Sequence, residues 1–269
     1  MRIIYAVLIA VVGSAGLAWA GLRVRPSPLA PASVEGEEWS TMPVPSGLPA
    51  PVARFYADLY GDEVPVITSA VISGRATVRI AGVTMPARFR FTHRAGHDYR
   101  HYIETTLFGL PAFKVNEHYL DGQARMALPT GVIKDSARVD QAANLALWAE
   151  ALWFPSVWIT DDRVRWEPVD EVTSVLIVPF RDMDETIVVR FDANTGRLRY
   201  LEAMRYRDAN DRQKRLWIGE ALSWRSSPEG SVADAALTWF DEGTPWAVFH
   251  IESVVYNADV SEYVRQDGP

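Results

Sequence analysis

The chain has 269 residues, of which 48% are hydrophobic and 23% are charged, a balance typical of a folded protein with a sizeable core. Its formal net charge is −7, which argues against a nucleic-acid partner, because such partners select basic surfaces. The absence of cysteine excludes disulfide bonds and thiolate metal sites.

An uncharged segment, Ile3–Leu22, follows Arg2 at the start of the chain. As a helix it would match the roughly 30 Å hydrocarbon core of a bilayer. It is either a secretory signal peptide with an A-x-A site at 18–20 or an uncleaved transmembrane anchor. We favour an anchor over residues 1–25, single-pass in the inner (cytoplasmic) membrane, with the main domain on the periplasmic, extracytoplasmic side. The residues expected to face the membrane or a partner helix are Ile3, Gly13, Gly16, Trp19 and Leu22.

Proline is concentrated directly after this segment. Residues 26–51 contain seven of the 17 prolines, which predicts an extended Pro-rich linker over residues 26–47. Trp39 is unusual in a linker and either packs back on the domain or contacts a partner. Residues 48–269 then form the β-rich extracytoplasmic domain.

The domain is predicted to begin with one short helix and to continue mainly as strands. Pro51–Tyr60 has apolar residues at helical spacing and is followed by Gly61. From Val64 onward the apolar period falls towards two, which indicates half-buried strands. Asp192–Gly196 has the composition of a hairpin turn between two such strands.

One long helix is predicted to interrupt the strands. It can begin at Asp135 or Ser136 and is limited downstream by Pro155. The predicted fold is therefore mainly β, of the α+β class, with one N-terminal transmembrane helix. Its centre is a large curled antiparallel sheet or half-barrel of about ten strands around the long helix.

Glu150 is the one charged residue between Ala142 and Thr160. A carboxylate among aromatic rings could be a desolvated general acid or a ligand contact. We favour the alternative, a structural carboxylate that pairs with an arginine. The ligand-binding or structural motif assigned to this region comprises Trp148, Glu150, Trp153, Phe154 and Pro155.

The string from Ala149 to Pro155 (E-A-x-W-F-P at its centre), together with Leu48–Val52, Trp166 and Gly196, resembles an uncharacterised bacterial domain-of-unknown-function family. The similarity spans roughly residues 48–205. That family has no established activity, so the resemblance implies a fold and not a reaction. The β-rich, helix-covered shape is also similar, at the level of fold alone, to bacterial lipoprotein carriers that hold acyl chains in an open half-barrel.

Three histidines share a spacing of four residues: His93, His97 and His101. On one helix this spacing would form a metal-binding face, but Arg94–Gly96 breaks any helix and places the histidines on two strands. No acidic partner completes the pattern, so we predict no metal site. We likewise expect no cofactor and no catalytic residues, since no nucleophile or phosphate-binding motif is present.

These features predict a non-enzymatic, membrane-anchored accessory or scaffold subunit. It would dock on an integral membrane protein complex, with electron-transport and photosynthetic complexes as candidate hosts. Small residues in the N-terminal segment would allow close approach of helices in the membrane. The alternative is a binding module for a lipid or other apolar ligand in the concave face of the sheet.

Overall fold

The computed structural model describes residues 2–32, 40–227 and 230–269, with the side chains of 2–3, 6–11, 227 and 230 left out. The helices are α1 (Arg2–Gly21), α2 (Ala50–Tyr60), α3 (Ala137–Ala149) and α4 (Val157–Thr160), and 3₁₀ turns lie at Glu150–Trp153 and Tyr263–Arg265. Two short strands, β1 (Thr41–Pro43) and β2 (Glu63–Pro65), pair with each other.

All other strands form a single large sheet. They are β3 (Ser69–Ile80), β4 (Val83–Arg94), β5 (Asp98–Leu107), β6 (Leu110–Leu120), β7 (Gln123–Leu128), β8 (Gly131–Lys134), β9 (Arg165–Pro168), β10 (Thr173–Phe180), β11 (Met183–Phe191), β12 (Leu198–Arg205), β13 (Arg215–Ser227), β14 (Gly230–Trp239) and β15 (Ala247–Tyr256).

This 13-stranded sheet has the order β8-β7-β6-β5-β4-β3-β15-β14-β13-β12-β11-β10-β9, and every neighbouring pair is antiparallel. The chain therefore runs as two meanders that join where the last strand, β15, pairs with the first, β3. A Cβ at Gly74 would lie 2.0 Å from the carbonyl oxygen of His250, so only glycine allows these strands their close approach. The mainly β prediction is confirmed, with more strands than the sequence indicated.

The sheet is strongly curled. Six strands separate β6 from β12 in the sheet order, so a flat sheet would place them about 34 Å apart. Arg205 on β12 nevertheless lies close enough to Glu117 on β6 to interact electrostatically with its carboxylate. The two meanders therefore face each other across a concave interior, as a sheet of this size must curl or close.

The α3 segment fills that interior. Its Asn144 joins the two halves of the sheet, accepting a hydrogen bond from Tyr119 of β6 and donating one to the carbonyl of Pro179 in β10, both at 3.1 Å. Trp153 in the following 3₁₀ turn donates from Nε1 to the carbonyl of Ala233 at 3.0 Å. The concave face is thus occupied by the protein's own side chains.

The two local predictions in the domain agree with the structure. Helix α2 spans Ala50–Tyr60 and is followed by Gly61 at φ +79°, a conformation that favours glycine. Asp192 stabilises the turn between β11 and β12, because its Oδ1 accepts hydrogen bonds from the backbone amides of Asn194 and Thr195. Both features follow from short-range turn and helix chemistry.

Helix α1 projects most of its described side chains into solvent. Within the described residues, no helix combines the length and apolarity needed to cross a membrane, so the predicted transmembrane helix has no support from the structure. The side chain of Ile3 lies outside the description. An added Cβ at Gly13 or Gly16 would meet nothing within 4 Å. Trp19 is exposed beneath the guanidinium of Arg23.

Part of the segment predicted as a linker lies on the outer face of the sheet. Arg88 donates to the carbonyl of Ser27 at 3.1 Å, and Arg90 donates to the carbonyl of Ala30. Ala32 packs against a small apolar cluster that includes Val71. Leu22 is half-buried where α1 ends. Trp39 lies outside the described residues, and the domain limits assigned from the sequence stay predictions.

Candidate functional site

His93, His101 and Glu150 meet on the concave face of the sheet. His93 on β4 pairs with Tyr99, and His101 on β5 pairs with Phe91, so alternation along the hairpin directs both histidines inward. Glu150 enters from the end of α3. Its Oε2 lies 2.6 Å from Nε2 of His101 and 3.3 Å from Nε2 of His93.

A second carboxylate lies behind His101. Oε2 of Glu117, on β6, is 3.8 Å from Nδ1 of His101. The hydroxyl of Tyr99 donates a hydrogen bond to Oε1 of Glu117. The ring of Tyr99 also stacks on His101, with ring centres 3.9 Å apart and planes inclined by 12°. Adjacent strands therefore fix the orientation of the His101 ring.

The cluster is buried under aromatic rings. His93 has no exposed surface, and 4% of His101 is exposed. The ring of Phe91 lies 4.1 Å from His101, and the ring of Phe154 lies 5.2 Å from His93. These aromatic rings shield the charged groups of the cluster from water, which strengthens the electrostatic interaction between them.

Burial and charge act in opposite directions on the pKa values. Burial lowers the pKa of His101, but Glu150 and Glu117 outweigh it and raise the pKa to about 9. Burial raises the pKa of Glu150, but His101 and His93 outweigh it and lower the pKa to about 2. Burial holds the pKa of His93 below its usual value. With no ion bound, His101 and Glu150 therefore form a buried ion pair beside a neutral His93.

Sequence reasoning identified Glu150 but assigned it the wrong partner. The structure pairs it with His93 and His101, while Arg205 contributes only electrostatically. His97 lies in the turn between β4 and β5, outside the cluster. The missing acidic partner of the histidines was Glu150 itself, 49 residues beyond His101. His93 and His101 share a face because they are evenly spaced across a turn of three residues, 95–97, and the sequence does not fix that turn length.

The other residues of the predicted motif are buried around the cluster or hydrogen-bonded to the rest of the domain. The carbonyl of Trp148 accepts a hydrogen bond from Trp158 at 2.9 Å, and the carbonyl of Pro155 accepts one from Tyr56 at 2.7 Å. Trp153 and Phe154 are buried among the aromatic rings above the histidines. Tight packing of this motif sets the position of Glu150.

A different surface lies at one end of strands β3 to β8. Alternate turns of a meander lie at the same end, so the turns at 81–82, 108–109 and 129–130 are neighbours. The exposed apolar residues at this end, termed the apolar rim, are Ile80, Val83, Phe108, Leu110, Phe113 and Val132. At the opposite end of these strands, no described large apolar side chain is exposed.

Helix α1 ends against the apolar rim. A Cβ at Gly21 would lie 2.7 Å from side-chain atoms of both Leu107 and Phe108, so the helix end is packed tightly on the β5–β6 hairpin. Exposed apolar residues of α1, including Leu17 and Trp19, precede this contact. The exposed apolar residues of the helix therefore lead up to the apolar rim at the β5–β6 hairpin.

A curled antiparallel sheet whose concave face is filled by a helical segment defines the class of this protein. The chain belongs to a family of unknown function, DUF6544, whose profile matches residues 39–250. The resemblance to an uncharacterised family seen in the sequence is confirmed. No curated protein matches the chain.

Three solved structures are similar in fold. A LolA superfamily protein from Nitrosomonas europaea has 10% identity and a TM-score of 0.46, with 82% of this chain and 99% of that chain covered. A DUF1329 family protein from Desulfovibrio piger has 12% identity and a TM-score of 0.44, covering 81% and 94%. A putative outer membrane lipoprotein-sorting protein domain from Vibrio parahaemolyticus has 11% identity and a TM-score of 0.42, covering 79% and 93%. These likenesses concern the fold alone.

Proposed function

We propose that the protein is a non-enzymatic binding module whose ligand is lipid, and that it works at a membrane surface. The observation that carries this proposal is that α1, with its exposed apolar side chains, ends in tight contact with the hairpin of the apolar rim. Contiguous exposed apolar residues on a folded domain mark an interaction site, because leaving them in water is unfavourable.

The contact between Gly21 and the β5–β6 hairpin favours a lipid bilayer as the occupant. It joins the end of α1, a helix with exposed apolar side chains, to the hairpin that carries Phe108 and Leu110, so one lipid surface can cover the helix and the rim together. Short apolar tips on hairpins suit the headgroup region, where side chains reach the acyl boundary while the backbone stays hydrogen-bonded.

Charge beside the rim supports the same occupant. Arg23 and Arg25 follow α1 where it meets the rim. Lys114 and Lys134 on β6 and β8 are each paired with a carboxylate, Glu104 at 3.8 Å and Asp135 at 3.6 Å, so this support comes from the two arginines. Basic side chains at a membrane surface interact favourably with anionic headgroups.

The concave face of the sheet is the other candidate binding site for an apolar ligand. Trp148, Trp153 and Phe154 are each at most 2% exposed, and they fill this face in the described structure. A ligand bound there would have to displace the α3 segment. We therefore place the lipid contact at the apolar rim. Docking on a membrane protein complex gains no support from the described residues.

The absence of cysteine allows a direct test in the full chain. A single environment-sensitive fluorophore is attached at Leu110→Cys, and the protein is reconstituted in phosphatidylcholine vesicles that contain phosphatidylglycerol. Lipids brominated on the acyl chain should quench this label. Val12→Cys on α1 is the positive control, and Val169→Cys, exposed between β9 and β10 at the opposite end of the sheet, is the negative control.

The result is interpreted by comparing the three positions. Quenching at Leu110 and Val12, with none at Val169, supports contact of the apolar rim with lipid. Quenching at Val12 alone would show that α1 enters the membrane while the rim stays in water. That outcome would overturn the proposal.

A further inference from the structure

We propose that His93, His101 and Glu150 bind a divalent transition-metal ion of the zinc or iron(II) class. The inference is independent of the lipid proposal, since the cluster lies on the concave face and the apolar rim contributes nothing to it. One nitrogen from each histidine and one oxygen of Glu150 all lie within 4.8 Å of one another.

The donor spacing fits a metal ion. Ligands held about 2.0–2.1 Å from a tetrahedral zinc are about 3.3 Å apart. Nε2 of His93 is 3.3 Å from Oε2 of Glu150, and Nε2 of His101 is 2.6 Å from the same oxygen. The two histidine nitrogens lie within 4.8 Å of each other, so side-chain adjustments at the cluster can bring the three donors to the spacing that a bound ion requires.

His93 provides the second observation. It has no exposed surface, and its Nε2 lies 3.3 Å from Oε2 of Glu150 without hydrogen-bond geometry, while its Nδ1 has no such partner within the described part of the chain. Buried polar groups in folded proteins are satisfied in the large majority of cases, so an imidazole without a well-formed hydrogen bond indicates an absent partner. Coordination of a metal through one ring nitrogen supplies that partner.

The surroundings of His101 match those of a metal-binding histidine. Such residues commonly present their second ring nitrogen to a carboxylate, which fixes the ring and strengthens the ligand. Nδ1 of His101 faces Glu117, and Glu117 in turn accepts a hydrogen bond from Tyr99. A lone buried ion pair between His101 and Glu150 would not need this second carboxylate.

The donor set and the charge select the kind of ion. Two imidazoles with one carboxylate are typical of zinc and non-haem iron(II), whereas calcium and magnesium prefer oxygen ligands. Glu150 and Glu117 oppose one buried guanidinium, that of Arg205. With no ion bound, the charge of His101 balances this set; an ion that displaces the His101 proton meets one net negative charge from the remaining groups, which offsets part of its own charge.

The test uses the full chain purified in mild detergent and stripped of metal by dialysis against EDTA. Zinc chloride is added, unbound ion is removed by gel filtration, and the bound zinc is quantified by inductively coupled plasma mass spectrometry. We expect one zinc per chain and a rise in melting temperature, because an ion that binds only the folded state stabilises it. Cobalt(II) should give visible ligand-field bands from a nitrogen and oxygen donor set.

Variants locate the ion. His93→Gln and Glu150→Gln should each weaken zinc binding by more than about 100-fold, and Glu117→Gln by about tenfold through loss of the outer partner. His250→Gln is the matched control, since His250 is exposed and pairs with Asp234 outside the cluster. Circular dichroism verifies that each variant is folded.

The wild-type protein alone can overturn the proposal, even if a variant fails to fold. No stoichiometric zinc, no cobalt bands and an unchanged melting temperature would show that the cluster is only a buried ion pair. Undiminished zinc binding by the folded His93→Gln and Glu150→Gln variants would place the ion elsewhere and would overturn it equally.

Discussion

The backbone amide of Phe108 donates a hydrogen bond of 2.9 Å to the carbonyl oxygen of Gly21, the last residue of α1. The acceptor is one of the terminal carbonyls that a helix cannot satisfy internally. The hairpin that bears the most exposed part of the apolar rim thus caps the helix. A substitution that separates the two should release α1 without damage to the sheet.

Gly21→Leu is expected to weaken this contact. Its Cβ would lie 2.7 Å from side-chain atoms of Leu107 and Phe108, which costs about 1 kcal/mol or more. Trypsin cleavage after Arg23 should then be about fivefold faster, because 1 kcal/mol changes an opening equilibrium by about that factor. Gly16→Leu is the control, since nothing lies within 4 Å of its added Cβ. Equal cleavage of the two variants would contradict the expected role of Gly21.

The sequence was sufficient where the determinant is local. Helix α2 and the turn at Asp192–Gly196 depend on proline, glycine and side-chain hydrogen bonds within a few residues. The pairing of β3 with β15 depends instead on contacts such as Val71 with Val255, which are far apart in the chain. No periodicity within a strand encodes such a partner, so the strand order could not be derived.

The candidate site shows the same limit. The isolation of Glu150 among apolar residues predicted a largely desolvated carboxylate, and its side chain is 13% exposed. Its partners could not be read from the sequence, because the hairpin that carries His93 and His101 meets α3 only after the sheet curls. The absence of a local acidic residue therefore excluded a short metal motif but not a site assembled in three dimensions.

Glu150→Gln is expected to destabilise the metal-free protein strongly. Removing one partner of a buried ion pair leaves the other without compensation, at a cost of about 3–5 kcal/mol. Glu202→Gln is the matched control, because Glu202 pairs with Arg190 at a partly exposed site on the sheet surface, where such pairs contribute about 0–1 kcal/mol. Urea unfolding in the presence of EDTA measures the free energy of unfolding of both variants. A loss at Glu150 no larger than that at Glu202 would show that the cluster does not stabilise the fold.

Tyr56→Phe should loosen the attachment of the motif around Glu150. The Tyr56 hydroxyl donates a buried hydrogen bond of 2.7 Å to the carbonyl of Pro155, which also accepts one of 3.1 Å from the backbone amide of Trp158. Loss of the hydroxyl therefore removes one of two hydrogen bonds to this carbonyl, at a cost of about 1 kcal/mol. Tyr200→Phe, at a partly exposed position on β12, should cost less than about 0.5 kcal/mol. Thermal unfolding compares the two, and equal melting temperatures would exclude a role for the Tyr56 hydroxyl.

Asp161 is expected to make stability depend on acid pH. It binds Arg163, which also donates to the carbonyl of Gly96 at 2.8 Å and so ties the end of α4 to the turn between β4 and β5. Burial raises the pKa of Asp161, but hydrogen bonds from the side chain and backbone of Arg163 outweigh it and lower the pKa.

A pKa lowered by folding stabilises the protein above the unfolded value, about 3.9 for aspartate, and this contribution is lost as the pH falls through the folded value. Asp161→Asn should therefore cost about 1–2 kcal/mol near neutral pH, and its difference from wild type should hold down to about pH 5 and shrink between about pH 5 and about pH 3. Asp184→Asn, in an exposed pair with Arg165, should differ little from wild type at any pH in this range. Urea unfolding across this pH range measures the free energy of unfolding of each protein. If the difference between wild type and Asp161→Asn stays constant or grows as the pH falls to about 3, the assigned ion pair is excluded.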